Sequence, residues 1–192
     1  MDIPTDPAAP VAAQYATGHT RARIEQALLA AGLARLAQIT ESDRVLDAGG
    51  GIGGTARFLA HEHGCHVTSV DLTEEFCATA RWLNDAVGLG ERVDVRQADV
   101  TALPYAEGSF DVVVSQHVQM NVADKAALYR EARRVLSPGG RLGIWDVSAG
   151  PAGPPRFPVP WAEHPHLSHR SPRSSSTTCS LPPGSRRPRG TT

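Results

Sequence analysis

The sequence predicts an α/β fold, a parallel sheet with helices on both faces, and three observations carry that reading. A short apolar run from Arg44 to Ala48 stops at Gly49, Gly50 and Gly51, and helical spacing resumes over Thr55 to His63, the pattern of strand, turn and helix. The alternation of short apolar run and helical segment then repeats along the chain, which calls for parallel strands joined by right-handed crossovers. Aspartates follow or close the early runs, at Asp47, Asp71 and Asp99, where a parallel sheet gathers its carboxyl ends.

The elements follow in order. Ile24, Ala27, Leu28, Ala31 and Leu36 recur at roughly helical spacing between Thr20 and Gln38, predicting an amphipathic helix ahead of the sheet. After the first strand and helix, His66 to Val70 reads as a second strand. Thr73 to Val87 is helical, with Thr73 and Glu74 suited to its first turn. Arg92 to Arg96 and Phe110 to Ser115 are the third and fourth strands, and Lys125 to Leu136 is a helix. Arg141 to Asp146 is the fifth strand, after the turn Ser137-Pro138-Gly139-Gly140.

Three regions are expected: an N-terminal segment and helix over 1–40, a nucleotide-binding domain over 41–150, and a disordered tail over 151–192. The tail holds ten of the fifteen prolines, and from Arg170 onward it has five arginines and no acid. With 192 residues and 41% hydrophobic content the chain can bury one substantial core. A net charge of -1 gives no general attraction to nucleic acid or anionic membrane, and the tail arginines have no interleaved aromatics for base stacking. The N-terminus lacks the basic and apolar regions of a leader, and no stretch is long and apolar enough to span a bilayer, so a cytoplasmic location is expected. Cys65, Cys77 and Cys179 lack paired metal-ligand spacing. His61, His63, Cys65 and His66 straddle a helix end and a strand start, and no metal is expected there.

Gly49, Gly51 and Gly53 lie in the turn after the first strand, where a backbone without Cβ lets a ligand approach and the following helix start offers free amides. Gly49, Gly51 and Gly54 also satisfy G-x-G-x-x-G with an acid about 20 residues later, so a dinucleotide and an NAD-dependent oxidoreductase remain open on the glycines alone. Three acids separate the readings. Asp47 suits a cationic amino group and would repel a pyrophosphate. Asp71, in SVDLT, can accept both ribose hydroxyl protons and fits either ligand. Asp99, in QADVTALPY, can pair with an adenine amino group while the next amide meets the ring nitrogen, which leans toward adenosine.

The segments VLDAGGGIGG, SVDLT, QADVTALPYAEGSFDVVVSQHV and EARRVLSPGGRLGIWDV stand in this order between Ile39 and Val147. Together they resemble the class I S-adenosylmethionine-dependent methyltransferases of the small-molecule type, which include the quinone and glycine/sarcosine methyltransferases. The resemblance implies a Rossmann-like core and S-adenosyl-L-methionine as cofactor. It places Asp47, Gly49, Gly51 and Gly53 at the methionine end, Asp71 and Leu72 at the ribose, and Asp99 with Val100 at the adenine. Gln116 joins the cofactor set, and Gln116 and His117 would face a small-molecule methyl acceptor. Methyl transfer from a sulfonium mainly needs alignment and exclusion of water. For a hydroxyl or ammonium acceptor, His117 would be the base, since histidine changes charge near neutral pH. Tyr15 and His19 are candidates to close over the cofactor. A cofactor-binding domain that cannot turn over is the non-enzyme alternative.

Members of this class continue past the fifth strand with a helix and two further strands, so the core is expected to lack its last two strands and to expose the edge of strand five to self-association. The FPVPWA stretch at 157–162 still resembles the class, and the pattern breaks near Arg170. One permitted codon choice for the tail, read two bases later, gives VTPEQLHDLLAAAGFEAPAWND, a capped amphipathic helix with a strand-like continuation. A frameshift is the expected origin of the tail. Reading the gene across Arg170 tests it, and two frames that no single-base change can join would refute it.

Overall fold

The computed structural model describes residues 20–151 and 153–171, with side chains from residue 28 onward. Tyr15, His19, Cys179 and the stretch 172–192 lie outside the described residues, and with them the expectations placed on those positions.

Helix α1 (Thr20–Leu36) precedes strand β1 (Arg44–Ala48), followed by α2 (Gly54–His63), β2 (His66–Asp71), α3 (Glu74–Ala86) and β3 (Val93–Gln97). Strand β4 (Phe110–Gln116), α4 (Lys125–Val135) and β5 (Leu136–Trp145) complete the core. The five strands lie in the order β3-β2-β1-β4-β5 and every pair is parallel. Strand order reverses between β1 and β4, so their carboxyl ends form the crevice in which open α/β sheets bind ligands.

Both faces of the sheet are covered, which is why the strand segments read as continuous apolar runs rather than alternating ones. Val45, Val67, Val112 and Val114 pack on one face against Ala34 of α1, Leu59 and Ala60 of α2, and Ala80 of α3. Leu46, Val70 and Val113 pack on the other face against Ala132 and Val135 of α4. Glu74 and Glu75 occupy the first turn of α3, where the helix dipole favours acids, and the Asp124 carboxylate caps α4 by accepting from Ala127 N at 2.8 Å.

Two elements differ in detail from the sequence expectation. On α1 the buried stripe is Ala30, Leu33 and Ala34, continued by Ala37 beyond its end, whereas Leu28 and Leu36 are exposed. Leu33 and Ala37 reach the sheet at Gly143 of β5, where an added Cβ would lie 3.4 and 3.8 Å from them, so the inner face combines one leucine with alanines. Strand β5 begins at Leu136, directly after α4, and the pairing steps from Phe110↔Leu136 to Val112↔Arg141. Ser137 to Gly140 fill that step as an irregularity within the strand, with Gly139 at a φ of 79°.

The two sheet edges differ. On β3 the charged residues Asp94 and Arg96 are exposed, which discourages edge pairing. On β5, among the described residues, only β4 is a partner, and Trp145 is 46% exposed. Beyond β5, residues 153–171 carry a bridge between Val159 and Ala162 and a 3-10 turn at Pro165–Leu167, with Trp161 Nε1 donating to Ser168 Oγ at 3.1 Å. This segment returns to the core where Ala149 N donates to Ser171 O at 2.9 Å and His169 N to Met120 O at 2.6 Å.

Candidate functional site

Asp47 stands on β1 opposite Ser69 of β2 and Val114 of β4, and it is 1% exposed. The Ala56 amide in the first turn of α2 donates to its carboxylate, but Oδ2 has no partner. Burial pushes the Asp47 carboxyl up to about 7, against the lowering effect of that amide; Asp71 adds to the rise and Arg57 opposes it. Gln116, at the end of β4, is also buried. Its Oε1 accepts from Thr55 Oγ1 at 3.1 Å, and its Nε2 has no partner. Thr55 and Ala56 are neighbours on α2, so one helix turn holds both side chains. A buried acceptor and a buried donor are thereby left without a protein partner at the strand ends; Asn84 Nδ2 and Tyr105 OH are likewise without one, and what distinguishes Asp47 and Gln116 is their place at the crevice.

The glycine turn closes tightly over Asp47. The Gly49 and Gly50 amides both donate to Val70 O, at 2.8 and 2.9 Å. A Cβ at Gly50 would lie 2.1 Å from Ser69 Oγ and 2.7 Å from Asp47 Oδ2, so the turn has no room for a side chain there. Gly49 abuts Val118, whose Cγ2 would be 2.3 Å from an added Cβ. Gly51 has a φ of 56° and open space on its Cβ side, and Gly53, at φ 79°, caps α2.

Asp71 ends β2 with both carboxylate oxygens on backbone amides: Oδ2 accepts from Gly51 N at 2.9 Å and Oδ1 from Thr73 N at 3.0 Å. Each oxygen keeps a second lone pair for a ligand hydroxyl. Leu72, beside it, is 67% exposed, an outlay of apolar surface directly at the mouth of the crevice. The next loop is tied to this one through Ala98 N to Asp71 O and Gln97 Nε2 to Leu72 O, both at 2.9 Å. Asp99, on that loop, is exposed; its Oδ1 accepts from Thr101 N and Thr101 Oγ1, which leaves Oδ2 outside those bonds. Val100 is half-buried against the lower core face.

His117 follows β4 with a left-handed φ of 59° and is exposed. Its amide donates to Trp145 O at 2.9 Å. The next two amides, of Val118 and Gln119, both donate to Asp146 Oδ2, at 2.9 and 2.7 Å. The structure therefore lines Asp47, the glycines, Asp71, Asp99 and Gln116 along the carboxyl ends of β1 to β4. His117, next after Gln116, is exposed where Asp47 and Gln116 are buried. Sequence reasoning missed Gly50, Thr55, Val118 and Asp146. The run of three glycines was a signal for Gly50; the others depend on contacts across the sheet that no local pattern displays. Among the described residues no three His, Cys, Asp or Glu gather as a metal site, and no helix is long and apolar enough to cross a membrane. A groove lined by His66, Arg81, Asn84 and Arg92 lies at the amino ends of β2 and β3, remote from the crevice.

A doubly covered parallel sheet with a glycine turn and acids at successive strand ends defines a nucleotide-cofactor-binding α/β domain. A family model described as a methyltransferase domain matches residues 46–144, and the chain belongs to that family of S-adenosylmethionine-dependent methyltransferases. It is 38% identical over 111 residues to a glycine/sarcosine/dimethylglycine N-methyltransferase of Actinopolyspora halophila, an alignment covering 58% of this chain and 20% of that protein. It is 33% identical over 142 residues to the chloroplastic tocopherol O-methyltransferase of Arabidopsis thaliana, covering 70% of this chain and 41% of that one. Among solved structures the [4+2]-cyclase SpnF superposes with a TM-score of 0.68 at 27% identity, covering 77% of this chain and 52% of that one. The chain thus spans less than half the length of these two curated relatives.

Proposed function

We propose that this chain binds S-adenosylmethionine along the carboxyl ends of β1 to β4 and directs its methyl group to a small-molecule acceptor. The observation that carries the reading is the pair of unsatisfied buried atoms, Asp47 Oδ2 and Gln116 Nε2. An amino-acid moiety brings an ammonium donor and a carboxylate acceptor, the complements of that carboxylate and that amide. The methionyl end of the cofactor is such a moiety. Asp71 then receives the ribose hydroxyls, with Leu72 against the sugar and base, while Asp99 and the Val100 amide meet the adenine edge. A pyrophosphate beside the buried Asp47 carboxylate would be repelled, which disfavours the NAD-dependent oxidoreductase.

The bound sulfonium supplies a methyl carbon that is already activated. The work left to the protein is alignment and exclusion of water. Val118 closes over Gly49, and the exposed face of His117 receives the acceptor. For a hydroxyl or ammonium acceptor the imidazole takes the proton released on transfer; for an acceptor that is already nucleophilic it positions the substrate. Small amines and hydroxyl compounds are the acceptor class that the curated relatives' names suggest. The superposition with a [4+2]-cyclase shows that this fold alone does not dictate methyl transfer.

Transfer of a labelled methyl group to a panel including glycine, sarcosine and phosphoethanolamine is the test. Label in at least one acceptor is expected. No transfer by a chain that binds S-adenosylhomocysteine would leave a cofactor-binding module instead. Asp71→Ala should weaken S-adenosylhomocysteine by about 1 to 3 kcal/mol through lost charge-assisted hydrogen bonds, and an unchanged affinity would remove Asp71 from the site.

The edge of β5 that has no strand partner among the described residues is proposed to pair with a second copy, because the 141–145 stretch RLGIW has one charge, Arg141, and that residue is engaged with Asp43 and Gln38 O. Size-exclusion chromatography should show elution that shifts with concentration. A monomer with cooperative melting across the range would contradict it.

A further inference from the structure

Asp146 follows β5 and accepts three backbone hydrogen bonds: Val118 N and Gln119 N on Oδ2, and Val147 N on Oδ1 at 2.8 Å. With Trp145 O taking the His117 amide, the end of β5 captures three consecutive N-H groups of the loop that leaves β4. Three amides pointing one way force the chain to turn, and the turn is made at His117, whose left-handed φ a non-glycine residue adopts only at an energetic cost. The same turn sets Val118 against Gly49 and leaves His117 exposed.

The far side of the loop is anchored as well. Tyr129 OH donates to Gln119 Oε1 at 2.7 Å, and Lys125 Nζ donates to Val122 O at 2.9 Å and to His169 O. His169 N closes on Met120 O, so the 153–171 segment rests on the stretch that Asp146 holds. Asp146 is half-buried and turns its carboxylate to the loop rather than to the crevice.

We infer that Asp146 is a positioning residue: its carboxylate holds the 117–119 loop in the left-handed turn that sets Val118 against the glycine turn and places His117 beside the cofactor crevice. The inference rests on the proposed cofactor reading, because the wall it sets is the Val118 contact over the glycine turn. Removing the carboxylate leaves the two loop amides without an acceptor and removes what offsets the strain at His117.

Amide hydrogen exchange and calorimetry with S-adenosylhomocysteine, on the full chain and on Asp146→Ala and Asp146→Asn, test it. Val118 and Gln119 should exchange at least about tenfold faster in Asp146→Ala while the amides of β1 and β4 keep their protection, and S-adenosylhomocysteine should bind about tenfold more weakly. Glycine adopts a left-handed φ without help. His117→Gly in the Asp146→Ala background should therefore recover part of the affinity, which a residue needed only for general stability would not allow. Unchanged exchange at Val118 and Gln119, unchanged affinity, or loss of protection throughout the sheet in both variants would overturn the assignment. If the unaltered chain fails to bind S-adenosylhomocysteine, the cofactor reading fails, and the exchange result alone decides whether Asp146 holds the loop.

Discussion

Asp47→Asn should weaken S-adenosylhomocysteine binding roughly 10- to 100-fold, the loss of one charge-assisted hydrogen bond of about 1.5 to 3 kcal/mol. It should also stabilise the unliganded chain at pH 8. The sign follows from burial: desolvation raises the Asp47 carboxyl to about 7, well above its value of 3.8 in an unfolded chain. Between those two values the unfolded state releases the proton first, so this residue reduces stability progressively as pH rises from about 4 to 7 and by a constant amount above that. Removing the ionisable group should raise Tm at pH 8 and leave it little changed at pH 4. The ligand reverses the balance, because an ammonium against Asp47 favours the ionised form. Affinity should therefore climb between pH 5.5 and 7 in the unaltered chain and stay flat in Asp47→Asn. Calorimetry across that range reads both slopes, and parallel slopes would remove Asp47 from the ligand's amino group.

Gly50→Ala should damage the turn by a clash alone, without backbone strain. The added carbon would fall 2.1 Å from Ser69 Oγ and 2.7 Å from Asp47 Oδ2, and both residues are 1% exposed, so they must shift within a packed interior. Overpacking of this kind costs about 1 to 3 kcal/mol or more and would displace the carboxylate on which binding depends. Gly51→Ala is the control. Its Cβ meets nothing, so the cost is the left-handed φ alone, about 1 to 2 kcal/mol. That methyl would project into open space beside the turn, where a ligand is expected, so affinity should fall more than stability does. Thermal melts with S-adenosylhomocysteine titrations separate the two; equal loss of stability in both would contradict the close approach at Gly50.

These two positions also show what the sequence made legible. Asp47, Asp71 and Asp99 were readable because each closes or follows a strand, and a parallel sheet must bring such residues to one edge. The glycines were readable as a turn, but their unequal roles were not: Gly50 is constrained by Ser69 on β2, a contact between residues 19 positions apart that only pairing of the strands creates. Gln116 was named at the strand end, yet its hold by Thr55, and the partnerless state of its Nε2 and of Asp47 Oδ2, depend on contacts with α2 that no local pattern displays. The buried face of α1 was misread because leucines lie on both sides of the helix: Leu33 is buried with Ala30, Ala34 and Ala37, whereas Leu28 and Leu36 are exposed. Asp146 carried no local signal at all, since its role lies in amides 27 and 28 residues earlier.

The central claim is that the crevice between β1 and β4 is built for the amino-acid end of S-adenosylmethionine. Calorimetric titration of the full chain at pH 7.5 with S-adenosylhomocysteine, and separately with NAD, tests it most directly. One saturable site for S-adenosylhomocysteine and none for NAD is the predicted result. A chain that melts cooperatively yet shows no heat of binding with millimolar S-adenosylhomocysteine would contradict it.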